Sequence, residues 1–224
     1  MAINLIKGQR INLEKTSGAK LTNFCVGCNW GAIVKKSFFG LSKSVVDVDL
    51  DLSCLIFDAN GNAIDHIWSP LFRFGDRNVG LPNGKLDSKD HALHHTGDDL
   101  TGDQDGDDGL DNEIITVDLN RVSSQVSSMV FFLNIYNNAD YQGDFSGIPY
   151  ASIRMFEGTP DKAPKQVFAQ YDVATKTECA GMRALVMGKL YRREGNWRFA
   201  AIGDAFPDKS IVNTIARVIK DYSK

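Results

Sequence analysis

The residues of this 224-residue chain that are best suited to chemistry form one acidic segment, residues 98–113. It holds eight carboxylates and no Lys or Arg, namely Asp98, Asp99, Asp103, Asp105, Asp107, Asp108, Asp111 and Glu113. Two carboxylates about 6 Å apart repel by about 0.7 kcal/mol even in water, so this density of charge opposes compact folding. The segment must therefore either stay open to solvent or be neutralised by a bound cation. Carboxylate oxygens suit Ca²⁺, and Gly102, Gly106 and Gly109 permit the tight curl of a ligand loop.

A second group of carboxylates lies at residues 47–51, where Asp47, Asp49 and Asp51 alternate with apolar residues. In a strand this spacing places all three carboxylates on one face. They repel one another there unless a cation or solvent lies against that face. The two groups together predict a calcium site that draws ligands from both segments, and a solvated strand face beside an open acidic loop remains the alternative.

Other metal and enzyme chemistry finds less support. His91, His94 and His95 precede the acidic segment, so a transition-metal site is conceivable, but the pattern favours a polar loop. The competing function is a hydrolase or phosphoryl-transfer enzyme that holds Mg²⁺ or Mn²⁺ in the same loop. His95 is the one candidate acid or base beside that loop. The chain has neither a G-x-S-x-G motif nor a glycine-rich phosphate loop.

Composition and cysteine usage indicate a soluble globular protein. The net charge is only −3 and 43% of residues are hydrophobic, which gives no reason to expect nucleic acid as a partner. No signal-peptide pattern opens the chain and no apolar run is long enough to span a bilayer. Cys25 and Cys28 spell CxxC, but no second pair follows and the pair lies in a strand pattern. We expect free thiols and a cytoplasmic location.

The elements that must position these residues are mostly strands. Alternating or continuous apolar runs predict strands at residues 3–5, 11–13, 21–30, 47–57, 63–67, 114–119, 129–136, 152–156, 167–173, 182–191 and 197–202. Residues 58–62 read as a turn, which makes 47–67 a hairpin. The nearly all-apolar run at 129–136 predicts a central strand. About ten strands with turns between them predict an all-β fold, a two-sheet antiparallel β-sandwich.

One helix is predicted at the C-terminus. Apolar residues between 211 and 222 recur at steps of three and four, which places them on one helix face. Pro207 and Asp208 precede it as a stop and an N-cap. Residues 35–44 read as a basic loop, and residues 72–95 as a long polar connection of the kind that often carries function. We expect a single domain spanning residues 1–224.

The acidic segment also resembles a known signature. Residues 95–108, HTGDDLTGDQDGDD, resemble the motif of the TerD family of tellurium-resistance and stress proteins. Other landmarks of that family follow in the same order, namely Lys7-Gly8-Gln9, Asp49-Leu50-Asp51, the apolar run 130–136 and Ala151-Ser152-Ile153-Arg154. The resemblance covers about residues 1–158, and the later strands and closing helix are compatible with the family.

The resemblance implies a β-sandwich that binds Ca²⁺ and has no known enzymatic activity. It further implies a cytoplasmic stress protein, associated with tellurite resistance, that acts through protein partners in a membrane-associated complex without itself crossing the membrane. Carried over onto this chain, the ligand candidates are Asp49, Asp51, Asp98, Asp99, Asp103, Asp105, Asp107 and Asp108. Asp99 stands in place of the usual Asn, and Asp103 in place of Glu. An insertion at residues 109–112 leaves either Asp111 or Glu113 as the acid that follows.

Overall fold

The computed structural model describes residues 8–13, 18–36, 43–74, 80–137 and 139–224. Their regular elements are thirteen strands, one α-helix and two short 3₁₀ helices, Phe145–Gly147 and Thr177–Cys179. The elements are β1 Arg10–Asn12, β2 Asn23–Trp30, β3 Ile33–Lys36, β4 Lys43–Val46, β5 Leu50–Phe57, β6 Ala63–Ile67, β7 Leu93–His95, β8 Glu113–Asp118, β9 Ser128–Ile135, β10 Ala151–Glu157, β11 Gln166–Asp172, β12 Ala184–Arg193, β13 Asn196–Phe206 and α1 Ile211–Tyr222.

The strands form two antiparallel sheets. The first has the order β1-β13-β12-β9-β5-β6, the second has the order β11-β10-β2-β8-β7, and β3 and β4 form a separate hairpin. The predicted all-β sandwich is confirmed. The predicted hairpin is also confirmed, because β5 pairs with β6 through a turn.

β9 explains how the core is divided. Phe131, Leu133 and Ile135 point between the two sheets, whereas Val130 and Phe132 point to the outer face, which α1 covers. A strand buried on both faces reads as a continuous apolar run, which is why residues 129–136 predict a central strand correctly. β9 indeed lies between β12 and β5.

The helix α1 covers the predicted residues 211–222, but its N-cap differs from the prediction. Its N-cap is Ser210, whose side chain accepts a hydrogen bond from the Asn213 N–H, so the prediction of Asp208 as N-cap is wrong. Asp208 instead forms an ion pair with Arg217 across two turns of the helix, at 2.8 Å. Within the described ranges, no helix combines the length and apolar character needed to span a bilayer.

Other segments differ from the predicted pattern. The expected basic loop 35–44 contributes its ends to β3 and β4, and residues 37–42 lie outside the described part of the chain. β7 lies within the expected polar connection. The predicted strand 47–57 begins only at Leu50. The predicted strand at residues 3–5 also lies outside the described residues.

The start of β5 has a strand neighbour on one side only. β9 pairs with β5 along its whole length, but β6 pairs only from Cys54 onward. The backbone groups of Leu52 on the open side therefore need other partners, because buried N–H and C=O groups are rarely left without one. The end of the acidic segment, which leads into β8 of the second sheet, lies beside Leu52.

Candidate metal centre

Five aspartates line a cavity of about 440 Å³ at the start of β5, and we call three of them, Asp49, Asp51 and Asp98, the inner cluster. Asp49 is 6% exposed and Asp51 is 3% exposed. One buried oxygen of each residue, Oδ1 of Asp49, Oδ2 of Asp51 and Oδ1 of Asp98, accepts no hydrogen bond. A buried carboxylate oxygen without a partner is costly, so these atoms call for a cation or a proton.

The electrostatics of the inner cluster agree with that requirement. Burial, together with the charges of Asp98 and Asp99, raises the pKa of Asp49 to about 7. Burial also raises the pKa of Asp51 well above its usual range, with contributions from Asp49, Glu113 and Asp98. Each of these influences disfavours the ionised form.

Glu113 and His95 lie beneath the inner cluster and connect the two sheets. Glu113 is fully buried, and its carboxylate accepts hydrogen bonds from the N–H groups of Leu52 at 2.7 Å and Asp99 at 3.1 Å. The Nε2 of His95 donates to the carbonyl oxygen of Leu52 at 3.2 Å, and its Nδ1 accepts from Gly97 N–H at 3.0 Å. Two side chains of the second sheet thus replace the strand that is missing beside Leu52.

This burial shifts the titration of both groups in a consistent way. Burial lowers the pKa of His95, which keeps the ring neutral with its proton on Nε2. Burial raises the pKa of Glu113, and nearby Asp98 and Asp49 raise it further, while the two N–H donors act in the opposite direction. The Glu113 carboxyl group is therefore electrostatically coupled to the acids of the inner cluster.

A second group, which we call the outer cluster, consists of Asp103, Asp107 and Asp108 farther along the loop. One oxygen from each lies within 4.8 Å of the others, and no other trio of His, Cys, Asp or Glu in the described residues meets that condition. At 4.8 Å two carboxylates repel by about 0.9 kcal/mol even in water. A cation bound among these three oxygens would relieve this repulsion.

The outer cluster is held by polar side chains that the sequence did not single out. Asn29 of β2 donates from Nδ2 to Asp107 at 3.0 Å and to the Leu110 carbonyl at 2.7 Å. The Tyr150 hydroxyl donates to Asp103 at 2.8 Å. These partners come from two strands of the second sheet or their ends, 47 to 81 residues from the atoms they bind.

Asn112, from the inserted stretch, connects Asp103 of the outer cluster to Asp99, the sequence neighbour of Asp98 in the inner cluster. Its Oδ1 accepts from the Trp30 N–H at 2.9 Å, and its Nδ2 donates to Asp99 at 3.2 Å and Asp103 at 3.0 Å. The Trp30 indole donates to the Val48 carbonyl at 2.6 Å, beside the inner cluster. Trp30 and Asn112 therefore lie at the seam between the clusters.

The structure separates the two candidates for the acid after the insertion. Asp111 forms an ion pair with Arg154, with Nε at 2.9 Å from the carboxylate. Burial raises the pKa of Asp111 to about 6, and Arg154 counteracts that effect. Asp111 thus has its own cation, whereas Glu113 faces the inner cluster.

The remaining predicted ligands have varied surroundings. Asp99 uses Oδ1 to accept from the N–H groups of Thr101 and Gly102, which shapes the turn. Asp105 is exposed and belongs to neither cluster. The prediction that residues 47–51 form one strand face is wrong in part, because residues 47–49 precede β5. Asp47, Asp49 and Asp51 nevertheless line one cavity.

The alternative ligand sets do not come together. His91 is exposed, His94 pairs with Asp87 at the surface, and His95 is buried. Cys25 packs with Ile114 and Phe156 outside the second sheet, whereas Cys28 lies in the core between the sheets. All four cysteines are free, as expected, and all four are buried.

Comparison with known proteins gives consistent matches. The model of the TerD domain family matches residues 1–218. The stress response protein SCP2 of Bacillus subtilis is 32% identical, with 98% of this chain and 100% of that protein covered. The tellurium resistance protein TerZ of Serratia marcescens is 32% identical, with 93% of each chain covered. The structure of a Streptomyces coelicolor homologue of the telluride resistance protein TerD superposes with a TM-score of 0.59 at 13% identity, over 91% of this chain and 98% of that one, which bears on the fold alone.

Proposed function

Because this chain belongs to the TerD family, we propose that it is a calcium-binding, non-enzymatic stress-response protein associated with tellurite resistance. The names of its relatives, which are stress-response and tellurium-resistance proteins, support the physiological part of this proposal. The calcium part is supported by the geometry of the two acidic clusters. The cytoplasmic location, and a single domain over the whole chain, remain predictions.

The observation that carries the proposal is the set of unpartnered buried oxygens of Asp49, Asp51 and Asp98. Every donor at the inner and outer clusters is an oxygen atom, which suits a hard cation and not a soft transition metal. Ca²⁺ accepts six to eight such ligands in irregular arrangements, so backbone carbonyls and solvent would complete each set. In this proposal the ions lie at Asp49, Asp51 and Asp98 and at Asp103, Asp107 and Asp108, while Asp99 and Glu113 orient them.

The competing enzymatic function loses its candidate acid or base. Both ring nitrogens of His95 are already engaged with backbone groups, and the side chain is fully buried. A general acid or base must reach the substrate or a bound water, and His95 has no free position for either. This argues for a binding role over hydrolysis or phosphoryl transfer with Mg²⁺ or Mn²⁺.

A partner would meet the inner cluster at an apolar rim. Leu71, Leu100 and Tyr136 line the same cavity and are 60%, 48% and 40% exposed. A cation bound at the inner cluster would neutralise the carboxylates beside this rim. Charge at an interface helps to decide which proteins associate there, so cation binding would change the partners that this surface accepts. We propose that a protein partner of a membrane-associated stress complex docks here.

Calorimetric titration of chelator-treated protein with CaCl₂ tests the calcium site, with melting curves recorded in parallel. We expect calcium to raise Tm, since a ligand at about 100 times its Kd stabilises by about 2.7 kcal/mol. Asp51→Asn should weaken calcium binding by about tenfold or more, because it removes a charged ligand with almost no change of shape. Asp105→Asn is the matched control, as it removes one charge of the acidic segment 98–113 outside both clusters.

Two outcomes would overturn the proposal. Identical melting curves in millimolar calcium and in chelator would exclude a stabilising calcium site. Turnover of a generic phosphate ester that requires Mn²⁺ and is lost in Asp51→Asn would show the enzymatic function instead.

A further inference from the structure

A second cavity, of about 1040 Å³, lies in a different part of the molecule and shares no lining residue with the inner cluster. It opens between β11 of the second sheet and the last residues of β13 in the first sheet. Asp221 and Tyr222 in the final turn of α1 also line it. We call it the edge cleft.

Among the described residues, two strand edges beside the edge cleft have no strand neighbour. β11 is the outermost strand of its sheet, and β1 pairs with β13 only at Arg198, Phe199 and Ala200. Gly203 then brings the backbone of β13 against the ring of Tyr171. Its φ is +66°, and a Cβ atom there would lie 2.6 Å from that ring, so the close approach requires glycine.

The floor of the cleft carries a polar group without a partner. Tyr171 is 5% exposed, and its hydroxyl makes no hydrogen bond. A buried hydroxyl without a hydrogen-bond partner is energetically unfavourable. Burial raises the pKa of Tyr171 to about 12, and the carboxylate of Asp204 adds to the shift. Asp204 also accepts a hydrogen bond from the Tyr222 hydroxyl at 2.7 Å.

The walls of the cleft are acidic and aromatic. Its lining includes four acids and one base, namely Asp172, Glu178, Asp204, Asp221 and Lys176. Three aromatic rings, those of Tyr171, Phe206 and Tyr222, lie among them. Such surroundings attract organic cations, which combine charge with apolar surface.

The protein itself places cations on two of these rings. The Lys176 ammonium lies 5.8 Å from the centre of the Tyr171 ring, and the Arg217 guanidinium lies 4.1 Å from that of Phe206. The four acids, in contrast, bring no three ligand atoms within 4.8 Å of one another. Their negative charge is therefore too dispersed for one metal ion but matches a ligand with several separated positive charges.

We propose that the edge cleft binds a small aliphatic polyamine. Protonated amines lie against Asp204 and the other acids, and one ammonium N–H donates to the unpartnered hydroxyl of Tyr171. Lys176 occupies part of the same space as an internal competitor. This site is independent of the proposed calcium function and shares no residue with it.

Titration of ¹⁵N-labelled protein with spermidine, in solution spectra and by calorimetry, tests the proposal. We expect the largest spectral changes at Tyr171, Gly203 and Asp204. Asp204→Asn should weaken binding by about fivefold, since it removes one charge while an amide oxygen still accepts from Tyr222. Lys176→Gln should tighten binding, because it removes the competing cation.

Two further variants separate the edge cleft from unspecific attraction to acids. Tyr171→Phe changes no charge and should still weaken spermidine binding, whereas Asp108→Asn in the outer cluster should leave it unchanged. Spectral changes confined to residues 98–113, equal weakening by Asp108→Asn, or no change at millimolar spermidine would each overturn the proposal.

Discussion

Glu113 and His95 show how single polar residues determine the shape of the metal centre. Both side chains are fully buried and both serve the backbone of Leu52, which belongs to the opposite sheet. Hydrogen bonds in such surroundings contribute little net stability when made but cost more when one partner is left behind. The inner cluster therefore rests on a connection between the sheets as well as on its own carboxylates.

Replacing His95 tests that connection. His95→Leu leaves the Leu52 carbonyl and the Gly97 N–H without their side-chain partner, and we expect a loss of about 1–3 kcal/mol in the free energy of unfolding. His94→Leu, at the exposed neighbouring position, should change it by less than about 0.5 kcal/mol. Urea unfolding of the metal-free proteins measures both, and equal effects of the two variants would contradict the structural role of His95.

Sequence reasoning located the carboxylates but not their partners. The acids Asp49, Asp51 and Asp98 were recognisable because like charges at short spacing need an explanation. Asn29 and Asn112 were not, because an amide carries no charge pattern and their bonds depend on the packing of distant strands. Asp111 could not be separated from Glu113 either, since its cation Arg154 is 43 residues away.

At the level of elements, the acidic loop depends on where its glycines lie. Gly102 has φ +68° and packs against the indole of Trp30, whereas Gly106 has φ +105° with open space around it. Both positions need the left-handed backbone that glycine adopts readily. Only Gly102 also has to fit against a neighbouring ring.

Alanine substitution separates backbone strain from this close approach. In Gly102→Ala a Cβ atom would lie 2.4 Å from the Trp30 ring, so we expect about 3 kcal/mol of destabilisation and weaker calcium binding. Gly106→Ala, which meets no atom within 4 Å, should cost about 1 kcal/mol. Chemical unfolding and calcium titration give both values. Similar losses in the two variants would mean that contact with Trp30 is unimportant.

The strand predictions succeeded where burial is uniform and failed where the chain changes direction. The apolar run of β9 reflects burial on both faces, so its central place followed from composition. The alternation at residues 47–51 predicted one strand, yet β5 begins only at Leu50. Alternation indicates only which side chains point inward. Residues 47–49, which connect the hairpin β3–β4 to the hairpin β5–β6, show this alternation without belonging to a strand.

For the whole molecule, the excess negative charge makes stability depend on pH and metal together. The pKa of Asp49 is about 7 in the folded protein, against about 3.9 in an unfolded chain. The folded state therefore binds more protons between these values, and stability is lost as pH rises through about 7. Burial lowers the pKa values of His66 and His95, which gives the opposite dependence, so a variant comparison is needed.

Comparison with Asp49→Asn isolates this effect. Without metal, Asp49→Asn should raise Tm by several degrees at about pH 8 and have little effect at about pH 3, where the carboxyl group is largely protonated in both states. Calcium should reverse the order at high pH, because only the wild-type protein has the full ligand set. Scanning calorimetry in chelator and in calcium measures the four cases. A stabilising effect of Asp49→Asn that is independent of pH would rule out this titration.

The number and character of the strands predicted a sandwich, but the order of strands in each sheet could not be predicted. That order depends on contacts between distant segments, such as β13 with both β1 and β12. The edge cleft depends on the same kind of contact, since its lining residues come from β11, β13 and α1, which are distant in the sequence. No local pattern in residues 166–206 indicates it.

Trp30 is fully buried, with its indole N–H bonded beside the inner cluster and its ring against the acidic loop. It belongs to no ligand set, yet movement in either cluster would alter the surroundings of its ring. The chain thus carries an optical reporter at the seam between the clusters. Replacing Trp68 and Trp197 with phenylalanine would leave its fluorescence as the sole tryptophan signal, so that ion binding could be followed in real time without any attached dye.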